Sequence, residues 1–184
     1  MIQYLVTNRP IMAKVVLGGG CFWCVEGVLC SLSGITSIKP AYAGGESENP
    51  DYNSVCSGKT GHAEVVVIEF DAEIISFSTL LEVFFTSHDP TQLNRQGNDI
   101  GTQYRSCIMP MEAGQAGIAE EVMAEMSDNF DYPIVTTIED AINLTIAEEY
   151  HHDYYAKNPG NGYCQVTINP KLAKVRAKFS HLLR

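Results

Sequence analysis

A chain of 184 residues with 45% apolar content can bury one sizeable core but is short for two, so a single domain is expected. A formal net charge of -10 argues against a polyanion-binding surface, because nucleic acid and anionic lipid would be repelled, and it leaves small molecules and proteins as partners. No stretch approaches the roughly 18 apolar residues that span a bilayer, MIQYLVTNRP has no basic segment ahead of an apolar run, and the cysteines are too sparse for a disulfide scaffold, so we expect a cytoplasmic protein with mostly reduced thiols.

Residues 1–11 show no clear periodicity, while MAKVVLGGG starts the patterned sequence at Met12. We read 1–11 as a leader whose origin the sequence leaves open and 12–184 as the domain. Lys14 to Leu17 is a β-branched run stopped by Gly18, Gly19 and Gly20, and Cys21 to Leu32 places apolar residues at Phe22, Val25, Val28, Leu29 and Leu32. That pattern predicts a strand, a tight turn and a helix. Ile35 to Ala43 can be extended, and Gly44 to Gly61 reads as a long functional loop with a single helical turn near Tyr52. His62 to Phe70 contains the uninterrupted run Val65, Val66, Val67, Ile68, which fits a central strand buried on both faces. Ser76 or Ser78 can cap a helix whose Leu80, Leu81, Val83, Phe84 and Phe85 form the buried side.

His88 to Arg105 is a second polar loop, and Tyr104 to Met109 resumes an extended pattern. Helices are expected over Ala113 to Phe130 and Ala147 to Lys157, and strands over Ile134 to Ile138 and Val166 to Ile168. Asn169 as N-cap and Pro170 at the first helical position then open a last helix through Leu172, Val175, Phe179 and Leu182. Its Lys171, Lys174, Arg176 and Lys178, with Arg184 beyond, read as a solvated basic face. Strands and helices mix without regular alternation, which predicts an α+β fold: a two-layer mixed sheet with helices packed on it, around a ferredoxin-like core.

Cys21 follows three glycines and opens a helix, which sets its sulfur at the positive end of the helix dipole, where a thiolate is favoured and nucleophilic. Cys21 and Cys24 form a CxxC pair on one helical face. By itself the motif fits a thioredoxin-like dithiol oxidoreductase, half of a zinc site, or a nucleophile with its resolving partner. Zinc is the weakest of these, because Cys56, Cys107, Cys164 and the pair His151 and His152 supply no second set of closely spaced ligands.

GGGCFWCVEG at Gly18 to Gly27 resembles the signature of the A-type peptide methionine sulfoxide reductase family. So do AYAGG at Ala41 to Gly45, YNSVCSGKTGHAE at Tyr52 to Glu64, HDPTQLNRQGNDIGTQYRS at His88 to Ser106 and EEYHHDYYAKNP at Glu148 to Pro159. The likeness runs from about Val15 to Phe179, with one departure: many members have glycine where this chain has Cys24. The resemblance implies a cofactor-free enzyme that reduces the S epimer of methionine sulfoxide, free or in proteins, with thioredoxin as reductant. It also implies Cys21 as nucleophile, Glu64 as proton donor to the oxygen, Tyr42 and Tyr104 as hydrogen-bond donors to that oxygen, and Asp99 as an organiser acting through water or Tyr104. Phe22 and Trp23 would be the wall that receives the substrate methyl.

Burying that methyl is worth only about 0.8 kcal/mol, so discrimination against reduced methionine must be polar. Cys164 resembles a family recycling cysteine, but an ordered strand and helix are expected after it, so we favour Cys24 as the resolving thiol. No metal, nucleic-acid or membrane partner is expected, and the enzyme is expected to be a monomer.

Overall fold

The computed structural model describes residues 11–184, so the leader expected over 1–11 lies, apart from Ile11, outside the described residues. Six strands form one sheet in the order β7-β6-β1-β3-β2-β8. They are β1 (Met12–Gly19), β2 (Ile35–Ala43), β3 (Ala63–Asp71), β6 (Ser106–Pro110), β7 (Thr137–Ile138) and β8 (Thr145–Ile146). Every pairing is antiparallel except β6 with β7. A separate two-residue ladder joins β4 (Arg95–Gln96) to β5 (Asp99–Ile100) inside the second polar loop.

Alternation along the central strands divides the core. Val15, Leu17, Val66, Ile68 and Phe70 point to the helical layer, where they meet α1 (Phe22–Leu29), α3 (Phe77–Ser87), α4 (Gln115–Met126) and α6 (Asn169–Phe179). Val16, Val65, Val67, Cys107 and Met109 form a smaller cluster on the opposite face, closed by Ala141 and Leu144. The mixed α+β architecture is thus as expected, and the run Val65 to Ile68 is buried on both faces. Ser76, rather than Ser78, caps α3 by accepting the Thr79 amide at 3.1 Å. The expected turn near Tyr52 is α2 (Tyr52–Cys56), opened by Asp51. Lys174, Arg176 and Lys178 on α6 are exposed, and among the described residues no helix is long and apolar enough to cross a membrane.

Four local expectations fail. Val166 to Ile168 is not a strand but part of a π-helix, Cys164–Ile168, that runs directly into α6. Cys164, Ile168, Leu172, Val175 and Phe179 are buried at spacings of three and four, a helical stripe that outweighs the β-branched run Val166, Thr167, Ile168. Asn169 is therefore helical and not an N-cap; its side-chain oxygen accepts the Tyr155 hydroxyl at 2.7 Å instead. The widened turn ahead of Pro170 relieves the clash its ring would make with an ordinary preceding turn. The helix expected over Ala147 to Lys157 is broken into a 3-10 turn, Glu149–His151, and α5 (Tyr154–Lys157), because Asp153 sits in left-handed backbone at φ 54. The carboxylate of buried Glu26 accepts the amides of Asp153 and Tyr154 at 2.9 and 3.3 Å, replacing the helical partners those amides would otherwise need. The strand expected over Ile134 to Ile138 contracts to Thr137–Ile138.

Candidate active site

The turn from β1 into α1 is shaped by Gly20, whose φ is +92 and where a side chain would run into Gln96 at 2.7 Å. Beside it lies buried His88, whose Nδ1 donates to the Phe84 carbonyl and whose Nε2 accepts from Ser106, both at 2.8 Å. Burial pushes His88 down to about 4, so it is a neutral strut. Cys21 is the N-cap of α1 and is 8% exposed.

The first amide of α1 is not left open for sulfur. Phe22 N–H donates to Glu64 Oε2 at 3.1 Å. Glu64 sits one residue into β3, opposite Tyr42 of β2, and is 2% exposed. Burial pushes its carboxyl up to about 8; the Phe22 amide opposes that shift, and the charges of Asp99 and Cys24 add to it. At neutral pH Glu64 is therefore mostly a carboxylic acid, with one oxygen held by the backbone.

Burial, a hydrogen bond with Cys24 and the Glu64 charge together raise the Cys21 thiol well above the ordinary cysteine value. Cys24 goes the other way, to about 7, chiefly because the Cys21 thiol donates to it. The surroundings of the pair thus oppose ionisation at Cys21 and favour it at Cys24. Tyr163 lies 3.5 Å from Cys24 Sγ, but its single phenolic proton goes to Asp99 Oδ2 at 2.8 Å. Asp99 is therefore tied to Tyr163, a partner that the expected role through water or Tyr104 did not include. Cys164 is fully buried, and among the thiols it is Cys24 whose charge acts on it.

The tyrosines divide differently from the expectation. Tyr42 is 1% exposed and donates its hydroxyl to Glu148 Oε2 at 2.8 Å, which leaves no proton for a ligand. Tyr52 and Tyr104 are half-buried, the Tyr52 hydroxyl meets the Cys56 thiol, the Tyr104 hydroxyl has no hydrogen-bond partner among the described residues, and the charge of Glu64 bears on both. Burial raises both phenols, so each remains a neutral donor. Tyr52 was read from sequence only as a marker of a helical turn; the signal was its place at the head of YNSVCSGKTGHAE. Glu148 closes the same corner, since its Oε1 accepts the Tyr52 amide at 3.0 Å. Tyr42→Phe is expected to lower stability by about 1 kcal/mol through loss of this one bond, read as a urea midpoint shift.

Phe22 is 1% exposed and packs on Tyr42 and His151, so it backs the pocket, while Trp23 is the half-buried ring. Tyr154 stacks on Trp23 at 3.7 Å with an interplanar angle of 7°, and Trp23 Nε1 donates to His151 Nδ1 at 3.1 Å. Sequence reading missed His151 and Tyr154 as site residues although both lie in EEYHHDYYAKNP. A separate cavity of about 540 Å³, lined by Asp89, Tyr132, Lys171 and Lys174 among others, includes none of Cys21, Glu64 or Tyr104. Among the described residues no three His, Cys, Asp or Glu side chains converge to hold a metal ion.

Residues 13–183 match the family model described as peptide methionine sulfoxide reductase. A peptide methionine sulfoxide reductase MsrA of Trichodesmium erythraeum is 54% identical over 171 residues, 92% of this chain and 97% of that one. Its counterpart in Polynucleobacter asymbioticus is 52% identical over 178 residues, 96% of this chain and 94% of that one. Among solved structures, reduced Mxr1 of Saccharomyces cerevisiae superposes with a TM-score of 0.78 at 34% identity, covering 82% of this chain and 87% of that one. Methionine sulfoxide reductase A of Corynebacterium diphtheriae gives the same TM-score of 0.78 at 32% identity, with 84% and 78% covered.

Proposed function

The chain belongs to the peptide methionine sulfoxide reductase family, and from this premise we propose that it reduces the S epimer of methionine sulfoxide, free or in proteins, with residues 12–184 as one catalytic domain. The observation that carries the reading is the buried Glu64, held by the Phe22 amide and raised to about 8, beside the Cys21 thiol. Plain thiol exchange has no use for a neutral carboxylic acid there. Sulfoxide reduction does, because the oxygen must leave sulfur protonated.

In the proposed cycle Cys21 passes its proton to the Cys24 thiolate as its sulfur attacks the sulfoxide sulfur. Glu64 gives its proton to the oxygen, while Tyr52 and Tyr104, in place of Tyr42, donate hydrogen bonds to it. The S–O bond breaks as oxygen transfers to Cys21. Methionine sulfur is reduced by two electrons and Cys21 is oxidised to the sulfenic acid. The Cys24 thiol then displaces that hydroxyl, its proton leaving with it, to give the Cys21–Cys24 disulfide and water; Glu64 stays a carboxylate until the dithiol is regenerated and Cys24 passes a proton back to it. Thioredoxin, the proposed reductant, returns both thiols, and the enzyme acts as a monomer in the cytoplasm. The test is reductase assay on peptides carrying the S and R sulfoxides separately, with dithiothreitol as donor. Turnover of the S form alone is expected; turnover of neither would sink the reading.

Two predictions arise from the cycle. Tyr52→Phe is expected to lower kcat/KM on the order of tenfold by removing one donor to the oxygen, whereas Tyr42→Phe should act on stability more than on rate. Equal kinetic effects would return Tyr42 to the oxygen site. Peptide mapping after one equivalent of sulfoxide should find Cys21 joined to Cys24, and Cys24→Ser should stop thioredoxin-driven turnover. Recovery of Cys21 joined to Cys164, with only Cys164→Ser inactive, would overturn the choice and require helical segment Cys164–Ile168 to move.

A further inference from the structure

The three groups that meet the sulfoxide oxygen in the proposed cycle come from segments far apart in the chain: Tyr52 from α2, Glu64 from the start of β3, and Tyr104 from the 3-10 turn Thr102–Tyr104. Their spacing is set by whatever ties those segments together. The two side chains that flank Tyr104 do so. Gln103, 6% exposed, donates from Nε2 to the Cys56 carbonyl at the end of α2, at 3.4 Å. Arg105 donates from Nη1 to two carbonyls, that of Thr102 within the turn at 3.0 Å and that of Gly61, just ahead of β3, at 3.2 Å. The guanidinium is aimed by Glu139: Nε donates to Oε1 at 2.9 Å and Nη2 to Oε2 at 2.8 Å, a planar fork that leaves Nη1 one direction. Glu139 is fixed in turn by the Thr137 hydroxyl at 2.6 Å and, through its own amide, by the Ile108 carbonyl at 3.0 Å. Burial opposes the Glu139 charge, but Arg105 and Thr137 more than offset it and hold the carboxyl below the ordinary 4.5, so the fork is ionised at neutral pH. There is little slack around it, since a Cβ at Gly44 would lie 2.7 Å from Nη2.

We propose that Arg105 is a positioning residue for sulfoxide reduction: bonded at once to the Gly61 and Thr102 carbonyls and aimed by Glu139, it sets the gap between the Glu64 carboxyl and the Tyr104 hydroxyl in which the sulfoxide oxygen is held. The inference rests on the reductase reading, with Glu64 and Tyr104 as groups that meet that oxygen. Burial and then the Glu64 charge raise the Tyr104 phenol, so the two groups do face one site. A lysine could keep the charge opposite Glu139, but its single nitrogen cannot serve both carboxylate oxygens and two carbonyls in one plane. As the S–O bond breaks, the oxygen gains electron density, so a donor moved out of place is missed more in the transition state than in the bound substrate. Loss of the brace should therefore fall on kcat more than on KM.

Removing Arg105 alone would orphan a half-buried carboxylate, so the test replaces both partners in the full-length protein, Arg105→Met with Glu139→Leu, and the urea midpoint should stay near that of wild type. In this paired variant the single-turnover rate on a peptide carrying the S sulfoxide should fall about tenfold or more, with KM within about threefold of wild type. Adding Tyr104→Phe, which should slow wild type about tenfold, should slow the paired variant less than about twofold, because the hydroxyl is already out of place. Arg105→Lys should keep the stability and recover only part of the rate. It also carries the same cycle with Tyr104→Phe should the paired variant fail to fold. Amide exchange reads the brace without turnover: residues 62–64 and 101–104 should both exchange faster in the paired variant while α3 does not. A folded paired variant with the wild-type single-turnover rate, or losses that add in full with Tyr104→Phe in either background, would overturn the proposal. Faster exchange in both segments of a protein that reduces neither epimer would leave the brace standing and defeat the reductase reading instead.

Discussion

Cys21→Ser is expected to abolish sulfoxide reduction, with a loss on the order of 10³ or more in single-turnover rate, because a serine hydroxyl at the head of α1 is a far weaker nucleophile than sulfur. The variant is unusually informative because it leaves Cys24 in place. Cys24 carries the lower pKa of the pair, about 7, yet it is 1% exposed and lies a turn deeper in the helix, whereas Cys21 at 8% is the sulfur at the turn. Access and acidity thus point to different residues, and the proposed cycle uses both, Cys21 for attack and Cys24 first as proton acceptor. Quenched-flow measurement of methionine formed per enzyme decides between them. More than about a tenth of the wild-type rate in Cys21→Ser would transfer the nucleophile to Cys24.

Glu64→Gln should keep the bond from Phe22 N–H and lose the proton, lowering the chemical step on the order of 10² to 10⁴. The wild-type rate should fall as pH rises through about 8, where the folded carboxyl ionises, and the variant should lack that limb. Stability falls with rising pH as well. A carboxyl whose pKa rises on folding from 4.5 to about 8 favours the folded state fully below pH 4.5, and this contribution is lost as pH rises toward 8, on the order of 5 kcal/mol in all. Gln cannot ionise, so Glu64→Gln should be more stable than wild type at pH 9 and nearly equal at pH 4. Urea titrations at the two pH values test this; an unchanged single-turnover rate would make Glu64 a structural residue.

The sheet and its helical layer were legible because β1, β3 and α3 carry uninterrupted or strongly periodic apolar runs, and periodicity reports burial. Cys21 and Glu64 were legible through position, one after three glycines and one at the mouth of a buried strand. What was not legible depends on contacts between distant segments. The broken helix after Ala147 depends on Glu26, more than 120 residues earlier, and local pattern cannot report a side chain that replaces helical partners from afar. The exchange of Tyr42 for Tyr52 has the same origin: the hydroxyl of Tyr42 is spent on Glu148, and no spacing along the chain shows where a proton goes. The dipole argument at Cys21 counted as open an amide that Glu64 already occupies.

The Glu26 hook also orders events in time. Synthesis runs from the N-terminus, so α1, with both reactive sulfurs and Trp23, emerges long before the segment that Glu26 must grip, at separations of 127 and 128 residues. Until that segment arrives the nascent chain holds a CxxC pair with no wall around it, and such long-range closure is the slow part of folding. A chain stalled or cut before Asp153 would be a dithiol without a pocket, open to oxidants and unable to select methionine sulfoxide. The wall around the two sulfurs is therefore completed only once the chain has been made through Tyr154.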